Sequence, residues 1–205
     1  MSVSDSTSGA KKPSLRWSVA DITVAAVIAV ASGVIFWGAG IATQPLEALF
    51  TFLPGSDAIL WGLYYFAGPL AAIIVRKPGA ALFAEVIAAL VEALLGSHWG
   101  GLGTLIPGLV QGLAAEIIFL IFAYKAWNIA VTILAGAASG FAGMAVSWVM
   151  YYQGYDALFI VVAFICSTLS GVIFAGAIAW LLYQALAKTG ALDRVAGGRD
   201  AAAVV

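Results

Sequence analysis

Six long apolar runs divide the chain, at residues 17–42, 57–75, 79–96, 103–124, 128–151 and 156–187, separated by short connections rich in Gly and Pro. Each run reaches the ~18–20 residues needed to cross the hydrocarbon core of a bilayer. The runs are apolar all round rather than alternating. That predicts helices, because a helix satisfies its own backbone inside lipid, whereas a barrel needs short alternating strands. The last run is too long for an upright span and should tilt or project beyond the membrane. Asp57 and Asn128 stand where N-caps of the second and fifth helices are expected, and Pro78 suits a first helical turn. The connection 43–56 carries Leu46, Leu49, Phe50 and Phe52, so it should lie on the membrane surface or fold over a site.

Composition agrees with lipid as the main solvent: 63% of residues are hydrophobic and 9% charged, against about 25% charged in soluble domains. The charges also set a direction. Lys11, Lys12 and Arg16 precede the first run, Arg76 and Lys77 lie between the second and third, and Lys125 lies between the fourth and fifth. Lys188, Arg194 and Arg199 follow the sixth, and the three alternate connections contain no Lys or Arg. This is the positive-inside pattern of a six-span protein with both termini in the cytoplasm. The expected organisation is a polar, disordered segment 1–16, a six-helix transmembrane domain 17–188 and a flexible cytoplasmic tail 189–205. The first run is longer than a signal-peptide core, and its cleavage would leave the chain ends on opposite sides. Cys166 is the only cysteine, so no internal disulfide can form. No basic patch suggests nucleic acid.

The polar residues inside the runs carry the chemistry. Glu85, Glu92, Gln111 and Glu116 lie in apolar surroundings, where an unpaired charge costs several kcal/mol, roughly. None can face lipid. Counted from the flanking basic turns, Glu92 and Gln111 should sit at one height, with Glu85 and Glu116 sharing a deeper layer. Glu85 and Glu92 are seven apart and share a helix face. Gln111 and Glu116 are five apart, so both cannot point into one narrow pocket, and one is expected to bond a neighbouring helix. No Lys or Arg within the runs pairs with the three carboxylates. They are therefore protonated, bonded to neutral groups, or available to a cation.

Near the outer ends stand Trp61 and Tyr65, which share a face, with His98, Trp148 and Tyr151; Tyr64, Tyr152 and Tyr155 suit an interfacial aromatic belt. Carboxylates beside aromatic faces suit a flat, cationic or amidine-like ligand, stacked on the rings and hydrogen-bonded at its edges. Small residues repeat at four-residue spacing at Ala25, Ala29 and Gly33, at Gly108 and Gly112, and at Gly136 and Gly140. Such stripes permit close helix packing within the bundle, or, for the first, docking on another membrane subunit. No metal-binding, nucleophilic or P-loop motif is present, so any use of ATP belongs to a partner.

The stretch Gly68–Gly100, GPLAAIIVRKPGAALFAEVIAALVEALLGSHWG, with Leu105–Glu116, LIPGLVQGLAAE, resembles the substrate-binding S component of an energy-coupling factor (ECF) transporter of the YkoE type. The similarity covers roughly residues 60–125. The resemblance implies six helices, capture of a thiamine-related compound from outside, and assembly with a transmembrane coupling subunit and ABC-type ATPases in the bacterial cytoplasmic membrane. Glu85, Glu92, Gln111 and Glu116 lie in the matching stretch, as do Arg76 and Lys77, and Ala25-x-x-x-Ala29 resembles the small-residue motif by which S components dock on the coupling subunit. The reading is a non-enzymatic vitamin-capture subunit without a cofactor of its own. Its expected binding residues are Trp61, Tyr65, Glu85, Glu92, His98, Gln111, Glu116, Trp148 and Tyr151, and its expected docking residues are Ala25, Ala29, Gly33, Arg76 and Lys77. The rivals are a proton- or cation-coupled carrier working through a Glu relay, and a scaffold with structural carboxylates.

Overall fold

The computed structural model describes residues 15–97 and 99–202, the side chains of Leu102, Ala201 and Ala202 excepted. His98 lies outside the described residues. The described chain is helical, with no strand. Helix α1 runs Val19–Glu47 and opens with a capping box: Ser18 Oγ accepts from the Asp21 amide, and Asp21 returns a bond to the Ser18 amide. A 3-10 stretch, Ser56–Tyr64, leads into α2, Ala67–Val75, and then α3, Ala80–Leu95. Helix α4 spans Gly101–Ile121, α5 Ile129–Tyr151 and α6 Ala157–Ser170. The rod begun by α6 continues through a π-helical turn, Gly171–Ile178, into α7, Ala179–Lys188, and α8 is Ala196–Ala202. Asn128 caps α5 as expected, its Oδ1 accepting from the Val131 amide. Asp57 does not cap: left-handed Gly55 precedes the 3-10 stretch, and Asp57 sits inside its first turn.

Five stretches are long and apolar enough to cross a membrane: Val19–Phe50, Ser56–Val75, Gly103–Ile121, Ile129–Tyr151 and Ala157–Lys188. The third apolar run is the exception. Left-handed Gly79 and Gly96 trim it to the 16 residues of α3, about 24 Å of helix against a core of ~30 Å. The second run differs too. It crosses as two pieces that meet at a bend over Tyr65 and Phe66, not as one helix.

Within the bundle, α3 packs between α1 and α4, α5 packs between α4 and the sixth rod, and α2 is buried along its whole length. Side-chain volume is arranged inversely to a soluble protein. Ala25, Ala29, Ala71, Ala84, Ala88, Ala115 and Ala135 are fully buried. Val27, Val30 and Val34 of α1, Leu109 and Leu113 of α4, and Leu158, Val161 and Ile165 of α6 are exposed. Small residues inside and large aliphatic residues outside is the solution for helices packed in lipid, where backbones gain by approaching closely and the outer surface needs no polarity.

The first-run stripe of Ala25, Ala29 and Gly33 is part of this interior. All three are buried against neighbouring helices. A Cβ on Gly33 would stand 2.6 Å from the Ala88 carbonyl oxygen and from Val91 Cβ. The small side chains are used up in bringing α1 onto α3, and the exposed face of α1 carries branched aliphatic residues instead. Arg76 and Lys77 are likewise engaged within the chain. Arg76, in a left-handed conformation, bonds Asp200, the Tyr183 hydroxyl and the Ile73 carbonyl and lies over the Trp127 ring. Lys77 Nζ lies 4.0 Å from Asp21 Oδ2.

The described part of the segment after α7 packs back on the bundle. Leu192 and Val195 are buried beside Ile73 and Tyr183, and the Tyr183 hydroxyl donates to the Gly197 carbonyl. Leu192 and Val195, with the Tyr183–Gly197 bond, seat this polar segment under α2. Gly33→Leu should destabilise the protein by about 1–3 kcal/mol through overpacking, while Val34→Leu on the exposed face should be neutral. Thermal unfolding in detergent compares the two; equal midpoints would mean that α1 does not pack as described.

Candidate functional site

The bend in the second run leaves backbone amides without helical partners at membrane depth, and side chains take them up. The Gly62 amide donates to Ser170 Oγ at 2.8 Å, and that hydroxyl donates to the Ile59 carbonyl. The Gly68 amide, in the first turn of α2, donates to Glu85 Oε2 at 2.6 Å. Glu85 thus acts as a cap supplied by a neighbouring helix. Its other oxygen, Oε1, is buried and has no hydrogen-bond partner among the described residues.

Glu85 lines a cavity of about 560 Å³, a volume that includes its open mouth. This lies within the ~300–1,000 Å³ of small-molecule sites. Every element from α1 to α5 except α2 contributes to the wall, Tyr65 entering from the bend itself. Glu85 and Glu92 come from one face of α3, and Gln111 faces them from α4. Phe36, Trp61, Tyr64, Tyr65, Trp99 and Tyr151 add ring surface. The Tyr65 hydroxyl is turned away from the cavity: it meets Ser167 Oγ at 2.9 Å, and Ser167 in turn donates to the Gly140 carbonyl. Since Ser167 has spent its proton, Tyr65 donates, and its ring is fixed as a wall. Trp61 is steadied by stacking on Tyr152 at 6.0 Å. Gly143 makes room at the back, where a Cβ would stand 3.0 Å from Gln111 Nε2 and 3.1 Å from Tyr65 Cε1.

Glu92 stands nearer the mouth and accepts from Ser97 Oγ at 3.1 Å. Trp99 and Tyr151 pack together at 5.8 Å, and the Tyr151 hydroxyl points to the Gly103 carbonyl. The mouth lies at the α3–α4 connection, the end opposite Arg76 and Lys77. No Lys or Arg is among the described lining residues. Among the described residues no group of three His, Cys, Asp or Glu side chains is placed to hold a metal.

Of the expected binding residues, Trp61, Tyr65, Glu85, Glu92, Gln111 and Tyr151 line this one cavity. His98 is outside the described residues. Glu116 and Trp148 are not in the wall. Glu116 instead receives the start of α3: Oε1 accepts from the Gly79 amide and the Tyr124 hydroxyl, and Oε2 from the amides of Ala81 and Leu82. A carboxylate with four donors at the positive end of a helix is structurally satisfied. Trp148 is 45% exposed and meets Phe164 edge-on. Ser147 and Tyr151, one helical turn apart, face the cavity, and Trp148 is turned ~100° away from Ser147.

The expected heights are also shifted. Glu85 lies against Gly112 of α4, level with Gln111, and Glu116 lies below both. Counting from Lys125 had included residues 122–125. These form a turn with positive φ at Ala123 and Tyr124 and add little rise. Phe36, Thr104, Pro107 and Ser147 are further wall residues outside the expected binding set, as are Tyr64 and Trp99, which the sequence marks only as outer-end aromatics. Tyr64 had been assigned to the belt. Ser147 carried a usable signal, being a polar residue one turn from Tyr151 in an apolar run.

Because Glu116 satisfies the start of α3, Glu116→Ala should cost about 2–4 kcal/mol of stability by leaving amides without acceptors, with Glu116→Gln intermediate. Thermal unfolding in detergent measures this; an unchanged midpoint in Glu116→Ala would show that the bonds contribute nothing.

Comparison with known proteins places this geometry in a family. The model for the permease component of the ABC-type cobalt transport system matches residues 20–142. A relative in Bacillus subtilis strain 168, named "Putative HMP/thiamine permease protein YkoE", is 33% identical over 185 residues, which are 90% of this chain and 92% of that protein. A crystal structure of an S component of an ECF transporter superposes with a TM-score of 0.84 at 33% identity, covering 90% of this chain and 93% of the other. The match runs through the α3–α4 pair that carries both cavity carboxylates and Gln111, and it extends over nearly the whole bundle. The chain belongs to the YkoE family of ECF transporter S components.

Proposed function

We propose that the protein captures thiamine, or its hydroxymethylpyrimidine precursor, from outside the cell and presents it for import. The observation that carries this reading is Glu85 Oε1, a buried oxygen without a hydrogen-bond partner among the described residues, in the wall of an aromatic cavity. A buried acceptor left unpaired is costly, and a ligand donor relieves that cost. The exocyclic amine of an aminopyrimidine supplies such a donor. Gln111 offers both a donor and an acceptor to the same ring edge. Tyr65 and Trp61 present faces on which a flat ring stacks, and Glu92 near the mouth suits a cationic thiazolium. His98, next to Trp99 in sequence, would act with Glu92.

In this reading the protein spans the bacterial cytoplasmic membrane six times, α3 being a short span, with both termini inside. The described basic residues gather at the end away from the mouth: Trp17 beside Arg16 bonds the Pro78 carbonyl, and Arg76 reaches Tyr183 and Asp200. By the positive-inside rule that end is cytoplasmic and the mouth faces out. A transmembrane coupling subunit and ABC-type ATPases would meet the cytoplasmic turn around Arg76 and Lys77, and the ATPases would spend ATP. The relatives of this chain are transport proteins, and no step here calls for a reaction on the ligand.

Trp61 and Trp99 in the wall provide a signal. Titration of the purified protein in detergent with thiamine and with hydroxymethylpyrimidine should quench Trp fluorescence saturably, with Kd below about 1 µM for at least one of them. Glu85→Gln and Glu92→Gln should each weaken that binding at least ~10-fold, which is about 1.4 kcal/mol. No saturable response to either compound would remove the proposal.

A further inference from the structure

Charge in the cavity is one-sided. It offers two carboxylates, one at the back and one near the mouth, and no Lys or Arg among its described lining residues. The positive end of α2 is already taken, since its Gly68 amide is bonded to Glu85 Oε2. The first turn of α4 reaches the mouth at Gly103 and Thr104. A helix N-terminus supplies only about half an elementary charge. Among the described lining residues, an anionic group entering this space would find neither a Lys or Arg counter-charge nor a bidentate partner of the kind that holds phosphate.

We infer that the site takes the free alcohol form of its heterocyclic ligand and rejects the phosphate esters of the same compound. This rests on the proposed function, and it goes further by naming the chemical form selected. A phosphate on thiamine sits on the oxygen at the end of its hydroxyethyl arm, and one on hydroxymethylpyrimidine sits on the hydroxymethyl oxygen. With the pyrimidine edge at Glu85, the first lies toward Glu92; with the ring reversed it lies toward Glu85. Either way a dianion approaches a carboxylate in a partly water-excluded space, where like charges repel far more strongly than in bulk water. Bringing the ester in would also strip the hydration of the phosphate without replacing it.

The selection has a consequence for the order of reactions. Where the compound occurs outside as its phosphate monoester, hydrolysis must come first. Water adds to phosphorus as the ester P–O bond breaks, the ligand oxygen takes a proton, and inorganic phosphate leaves. The class of activity that supplies this transporter from such a source is an external phosphomonoesterase.

The test is a set of fluorescence titrations of the purified protein with thiamine, hydroxymethylpyrimidine, thiamine monophosphate and thiamine diphosphate. The monophosphate is expected to bind at least ~100-fold more weakly than thiamine, and the diphosphate more weakly still. Glu92→Gln and Glu85→Gln lose thiamine affinity but should narrow the ratio between thiamine and its monophosphate. The folded state of each is checked by thermal unfolding. Equal affinity for thiamine and its monophosphate overturns this inference and leaves the capture reading standing. A large ratio that neither Gln variant narrows overturns the assignment to the two carboxylates. Failure of both unphosphorylated compounds to bind is a different result, and it counts against the capture reading itself.

Discussion

A backbone amide at membrane depth must find an acceptor within the protein, because the bilayer core offers no water. That constraint governs the second crossing. The chain changes from a 3-10 stretch to α2 over Tyr65 and Phe66, and such a change leaves polar groups exposed. Ser170 and Glu85 take the amides of Gly62 and Gly68. Because the crossing is broken at this level, Tyr65 comes to the cavity wall at the bend, and its hydroxyl is held by Ser167 on the sixth rod. The carboxylate that repairs the break is also one of the two that face the cavity. Support of the fold and shaping of the site are therefore the same interaction.

The distribution of volume around that interaction is what lipid requires. Alanines and glycines fill the contacts between α1, α3 and α4, and valines, leucines and isoleucines cover the outside. In water the exposed aliphatic surface would drive association. In a bilayer it is the neutral choice, and close packing of backbones has to hold the helices together. Toward the mouth, the cavity wall passes from α3 and α4 to the connection that carries Trp99, and aromatic side chains line it.

Much of this was legible in the chain. The apolar runs locate the helices to within a few residues, because burial in lipid leaves a strong compositional mark. The intramembrane polar residues pointed to Glu85, Glu92 and Gln111, since a charge that cannot face lipid must face a cavity or a partner. The break over Tyr65 and Phe66 was not legible, because its residues are as apolar as those of a continuous helix and its cause lies in partners over a hundred positions away, such as Ser170. The small stripe of α1 admits both packing and docking when read from sequence. Sequence spacing fixes which residues share a face but not what that face meets, and here it meets α3. Trp148 was misplaced for a related reason: adjacent residues on a helix differ by ~100°, so a cluster of aromatics in sequence is divided between cavity and lipid in space.

Three intramembrane glutamates invite the idea of a proton relay, and their surroundings argue against treating them as equivalent. Glu116 is saturated by three amides and a tyrosine hydroxyl at the start of α3. Moving a proton through it would release those bonds and the turn they hold. Glu85 is half satisfied, with one oxygen on α2 and one without a hydrogen-bond partner among the described residues. Glu92 holds a single serine at the mouth. From the Arg76–Lys77 turn to the mouth, the carboxylates thus change from fully bonded to progressively available. A relay needs members that can each give and take a proton in turn, whereas a receptor needs a rigid base and free acceptors at the ligand. The gradient from Glu116 to Glu92 has the second form.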